Sequence, residues 1–144
     1  MTAKEYLAQG RHLDARIDAK IQQLETLNAL ARNATSTLTG MPTGSGFATS
    51  KLEDVVTKIV DLQNEINADI DRLVDLKRDI RALIDTVEDV DQKTLLELRY
   101  INFYSWEQII PAMSYSRTHI FRLHEVALET VEKKNNRKDG TKWY

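Results

Sequence analysis

The sequence predicts an all-α protein: a long antiparallel coiled-coil helical hairpin followed by a small three-helix helix-turn-helix domain. Three observations predict it. Only five Gly and two Pro occur in 144 residues, which disfavours a β fold built on many tight turns. An apolar repeat of strict seven-residue spacing runs through the middle of the chain. After it come three short amphipathic segments, the last two separated by a short polar turn. The expected divisions are 1–90 for the hairpin, 91–134 for the helix-turn-helix and 135–144 for a basic tail.

Residues 3–33 read as the first helix, because Leu7, Leu13, Ile17, Ile21, Leu24, Leu27 and Ala31 recur at helical spacing. Gly10 lowers helix propensity there by about 1 kcal/mol relative to Ala. Residues 35–50 hold three of the five glycines and one of the two prolines, and read as a flexible loop long enough to reverse the chain.

Residues 51–87 read as the second helix, opened by a capping box of Ser50 and Glu53. Leu52, Ile59, Ile66, Leu73, Ile80 and Val87 repeat at intervals of seven. Val55, Leu62, Leu76 and Leu83 fill most of the second seam position, Asp69 interrupts it, and Ile70 and Ile84 widen the stripe. A seven-residue apolar repeat sustained over five heptads predicts a left-handed coiled coil. Alone, this helix cannot bury its stripe. Its partner is either the first helix folded back or another copy of the chain, and a homodimer is expected.

Asp91 is placed to cap a helix over about 92–101. Ser105 and Gln108 form a second capping-box signature, so a helix starts at Trp106, with Ile109, Ile110 and Met113 inward. Pro111 falls inside that helix and should bend or shorten it. Ser114-Tyr115-Ser116 is the turn. Ser116 caps a last helix to about Lys134, whose buried stripe is Ile120, Leu123, Ala127, Leu128 and Val131. Five basic residues lie between Lys133 and Tyr144, in a tail expected to fray.

Arg117, Thr118, Phe121 and Arg122 fall off the buried stripe near the start of the last helix, the end that a helix-turn-helix points into the major groove of double-stranded DNA. Arg can reach the O6 and N7 edge of guanine, while Thr and Phe can touch a thymine methyl. Charge supports this division. Residues 1–91 carry 11 Lys+Arg against 16 Asp+Glu, whereas residues 92–144 carry 9 against 6, so nucleic acid is drawn to the second half and repelled by the first.

The segment from about Gln92 to Val131 resembles region 4 of bacterial sigma factors. It is most similar to the sigma-region-4-like domains of phage and prophage proteins of Gram-positive bacteria, the ArpU and RinA type of late-gene regulators. Leu98-Arg99-Tyr100, Ser105-Trp106-Glu107-Gln108-Ile109, Ser116-Arg117, Ile120 and Ala127-Leu128 carry the resemblance. It implies a transcription-associated DNA reader of phage or prophage origin, acting in the host cytoplasm, with RNA polymerase as a second partner. By that likeness Arg117 contacts base or phosphate, Thr118 takes the position where sigma factors often read bases with a glutamate, and Arg99 and the helix start at Trp106 touch phosphates. His119 belongs to the same DNA-facing set. Two positions depart from the pattern: Pro111 replaces an ordinary helix former, and Phe121 stands where a basic residue is common.

Each feature also has a plainer reading. A helix-turn-helix is a common packing corner. Trp106 and Tyr100 read as packing residues rather than base-stacking ones. His119 and His124 are five residues apart, off a shared helical face, and read as surface or rim residues and not metal ligands. Asp71, Asp75 and Asp79 read as a solvated face. There is no nucleophile–base pair, phosphate loop or metal motif, so neither an enzyme nor a cofactor is expected. No apolar run approaches the roughly 20 residues of a membrane span, no signal peptide is apparent, and zero cysteines fit a reducing compartment. The non-reading alternatives are a protein that docks on RNA polymerase and a coiled-coil adaptor whose last helices cap the rod.

Overall fold

The computed structural model describes residues 1–40 and 45–139, with the side chains of 1–35 and 50–136. The described residues form five helices: α1 (Ala3–Gly40), α2 (Ser45–Ile84), α3 (Val90–Tyr100), α4 (Trp106–Met113) and α5 (Arg117–Asp139). No helix among them is long and apolar enough to cross a membrane. They group into two compact units, residues 14–72 and residues 1–13 with 73–144.

In the unit of residues 14–72, α1 and α2 run antiparallel. Lys20 meets Asp69 at 2.6 Å, and further along α1 Asn28, Ala31, Arg32 and Thr35 share a cleft with Leu52 and Val56. The heptad seam of α2 is the covered one: Val55, Leu62, Ile66 and Asp69 are buried, and Leu52 and Ile59 are half-buried. Ile17, Leu24, Leu27 and Ala31 answer it from α1. The stripe of α2 is therefore met within one chain, which answers the need that suggested a second copy.

Two expected stripe residues, Ile21 and Ile70, are exposed instead. Each follows a charged residue that holds the seam position, Lys20 on α1 and Asp69 on α2. One residue along a helix is a turn of about 100°, so with the ion pair inside, the isoleucines face out.

The expected loop over 35–50 is largely helical. α1 continues to Gly40 and α2 begins at Ser45, leaving 41–44 outside the described residues. Ser50 thus lies inside α2, and the expected capping box with Glu53 does not start a helix. Helix growth adds a hydrogen bond for each residue fixed, which outweighs the propensity deficits of the Ser, Thr and Gly residues there. At the other end α2 stops at Ile84. Thr86 and Val87 close it by donating to the carbonyls of Leu83 and Ile84, and Val87 is buried beyond the helix.

In the second unit, two apolar clusters share α3 and α5. One gathers Ala3 and Leu7 of α1, Ile80 and Ile84 of α2, Leu96 and Tyr100 of α3, and Ala127 and Val131 of α5. The other gathers Leu95, Ile109 and Ile120, flanked by Leu98, Trp106, Met113 and Leu123. Leu95 and Leu96 are adjacent in sequence and fill different clusters, which seats the last three helices on the start of α1 and the end of α2. Glu132 of α5 adds a polar tie by accepting from the Ala3 N–H at 3.1 Å. α5 extends past the expected end near Lys134 to Asp139. The rest of the tail lies outside the described residues.

Candidate nucleic-acid interface

The last three helices each start at a local signal. Asp89, not Asp91, caps α3, accepting from the Gln92 N–H at 2.9 Å. Asp91 sits within the first turn and accepts from the Tyr115 hydroxyl at 2.7 Å, tying the turn before α5 back to α3. At α4 the Gln108 side chain reaches back to the Ser105 N–H at 2.9 Å, in the expected capping box. Pro111 lies within α4, which is only eight residues long. Ser114 ends it in the left-handed conformation, φ 59° and ψ 35°, and that residue turns the chain. Ser116 then caps α5, its Oγ accepting from the His119 N–H at 3.2 Å.

The cap fixes which side of α5 faces out. Ile120 is fully buried beneath the first turn and Leu123 packs beside it. Arg117, Thr118, His119, Phe121 and Arg122 are all exposed at one end of α5, whereas the other two expected residues, Arg99 and Trp106, lie on α3 and α4. Arg117 lies 3.5 Å from the Glu107 carboxylate of α4 and 5.8 Å from the centre of the Phe121 ring. His119 stacks obliquely on Tyr115, with ring centres 4.4 Å apart. Arg122 forms no ion pair among the described residues.

Trp106 and Arg99 are placed differently. Trp106 is half-buried at the edge of the second cluster, edge-on to Phe121 at 5.1 Å. The Arg99 guanidinium lies 4.4 Å from the Trp106 ring centre and donates to the Tyr104 carbonyl at 2.9 Å. Arg11, far away in sequence on α1, donates to the same carbonyl at 3.3 Å. Burial, and then the charge of Arg11, lower the pKa of Arg99. Two guanidinium groups thus converge just before the N-terminus of α4. Arg11 was invisible to sequence reasoning because only the fold brings it to the head. A lone Arg among helical residues carries no signal.

His124 is a correction. It was expected at the rim and is buried, because it lies one helical turn beyond Ile120, on the packed side of α5. Its Nε2 and the Tyr100 hydroxyl are 2.6 Å apart, and its ring meets Trp106 edge-on at 4.8 Å. Burial, then Lys4 and Arg99, push its pKa down to about 4, while burial pushes Tyr100 up to about 12. Both are neutral near pH 7, and the pair is a packing element under the head. Among the described residues no three His, Asp or Glu side chains are grouped to hold a metal ion.

The model of one protein family, described as Protein of unknown function (DUF1492), matches residues 35–132. That span covers most of the chain, and the chain belongs to this family. No curated protein and no solved structure matches it.

Proposed function

We propose that this member of the DUF1492 family is a sequence-specific DNA-binding regulator of transcription that reads the major groove with the start of α5. One observation carries the reading. A short turn through left-handed Ser114 joins α4 to α5, and the first turns of α5 bury Ile120 while presenting Arg117, Thr118, Phe121 and Arg122 together. In a helix-turn-helix those positions reach base edges. Arg117 and Arg122 supply guanine-type contacts, and Thr118 and Phe121 supply thymine-methyl contacts. In this reading Arg99, Arg11 and the amide groups opening α4 contact backbone phosphates and so position the head.

The resemblance to sigma region 4 of phage late-gene regulators supports the same class. A second reading has its own observation. Glu107 lies beside Arg117 and offsets part of the cationic face, which suits a head that docks on a protein such as RNA polymerase.

Selection from a random duplex DNA pool by the immobilised full chain, with Arg117→Ala in parallel, tests the proposal. A motif enriched by the parent and lost or relaxed in the variant is the expected result. No enrichment, with retention of RNA polymerase core, assigns the head to docking.

A further inference from the structure

Flanking its seam, α2 carries a second apolar stripe, one residue along from the first, whose first member, Val56, also borders the cleft with α1. Val56, Val60, Ile70 and Val74 lie 45%, 48%, 40% and 59% exposed, although Val and Ile are normally buried. With Gln63 and Asn67 between them, they follow a regular alternation of three and four residues along one uninterrupted helix. That spacing is the seam of a coiled coil. It lies roughly 100° around the helix from the seam that faces α1, so the two stripes can be covered at once.

The stripe is self-complementary. Turned end for end about its midpoint near residue 65, it places Val56 opposite Val74 and Val60 opposite Ile70. Gln63 falls opposite Asn67 and Asn67 opposite Gln63, which gives two symmetry-related polar layers, one on each side of the axis; such layers fix register in coiled coils. One step further out, Glu53 falls opposite Lys77, an acid against a base. Glu53 is exposed and forms no ion pair among the described residues. The Lys77 ammonium is held in place over the Phe103 ring, 4.4 Å from its centre. Apolar, polar and charged positions therefore all match in the same register. A two-fold interface requires this property, since one patch must complement itself.

We propose that this face of α2 binds the same face of a second copy of the chain, antiparallel about a two-fold axis beside residue 65. The inference is independent of DNA reading. The pairing leaves the α1–α2 seam intact and carries two heads, one on each chain.

The chain has no cysteine, so disulfide mapping in it has no background. In this register Val56 of one chain adjoins Val74 of the other, whereas Val56 lies about 27 Å from its own symmetry mate, beyond the reach of a disulfide. Val56→Cys and Val74→Cys variants are oxidised mildly, each alone and then mixed. Disulfide-linked dimer only in the mixture is the expected result. Efficient linking of either variant with itself overturns the antiparallel register. Sedimentation equilibrium of the parent provides the second measurement. A dimer lost in Val60→Glu, weakened in Glu53→Lys and regained in Glu53→Lys with Lys77→Glu is expected. A monomer at all concentrations overturns the proposal and assigns the stripe to another partner.

Discussion

Lys20 and Asp69 occupy facing seam positions of α1 and α2, with Nζ and Oδ2 2.6 Å apart and both side chains largely withdrawn from water. A charge pair in an apolar seam costs desolvation that its attraction repays only when both partners are present. Its effect is directional: any shift of one helix along the other by a heptad sets each charge against an aliphatic residue. Arg72 lies 3.6 Å from the other Asp69 oxygen, so the carboxylate is held from two sides.

Removing one partner strands the other. Asp69→Leu and Lys20→Leu should each lower the thermal midpoint, while the double variant should recover to the parent value or above it. Thermal unfolding followed by circular dichroism gives this ordering. A double variant less stable than either single one would contradict it. The hydrogen bond from Lys20 keeps the Asp69 pKa below the ordinary carboxylate value. This contribution is present above the unfolded pKa and is lost as pH falls through the lowered folded one. The parent should therefore lose stability on acidification that the double variant keeps.

This pair also marks how far the sequence could be read. The seven-residue repeat identified α2 and its covered face, because burial of an apolar stripe follows from helical geometry alone. Asp69 was visible as an interruption. Lys20 was not, because a Lys on a long helix is ordinary until the register of the opposing helix is known, and Ile21 beside it was the more natural choice for the seam. The turn and the exposed end of α5 were legible because caps, turn and stripe are all local signals. Arg11, His124 and the outer stripe of α2 each depend on what the fold places next to them.

His124 should make stability depend on pH. Unfolded, its imidazole titrates near 6.5, and in the folded protein near 4. Between those values the unfolded chain binds the extra proton, so stability falls as pH drops from about 6.5 towards 4. The full effect is on the order of 3 kcal/mol. His124→Phe should flatten that part of the profile and leave the Tyr100 hydroxyl without its partner. Urea unfolding of both proteins at several pH values between 4 and 7 measures the difference, and equal slopes would refute the assignment. At alkaline pH the raised Tyr100 pKa acts the other way: its contribution is complete below about 10 and is lost as pH rises towards 12.

Arg11 and Arg99 share one acceptor, the Tyr104 carbonyl. If DNA phosphate meets the head there, Arg11→Gln should weaken binding about equally on all duplex sequences. It should also reduce the slope of log affinity against log salt by about one. Arg122→Ala should instead alter sequence preference. Fluorescence anisotropy titrations at several salt concentrations separate the two effects. An Arg11→Gln slope equal to the parent's would place Arg11 in the fold alone.

Gly10 lies on the packed side of α1, where an added Cβ would sit 3.4 Å and 3.5 Å from the Phe103 ring and 3.7 Å from Ile80 Cδ1. These are ordinary contact distances, so one methyl fits and a longer side chain does not. Phe103 has little freedom to yield: its φ is 61°, a conformation that non-glycine residues seldom adopt, and its ring lies beneath Lys77. Gly10→Ala should stabilise the protein by up to about 1 kcal/mol, through helix propensity and a less flexible unfolded chain. Gly10→Leu should displace the Phe103 ring and destabilise it. Chemical denaturation of the two variants beside the parent reads both effects. A stabilised leucine variant would mean that the ring does not pack against α1 in solution, whereas a destabilised alanine variant would mean that the approach is closer still.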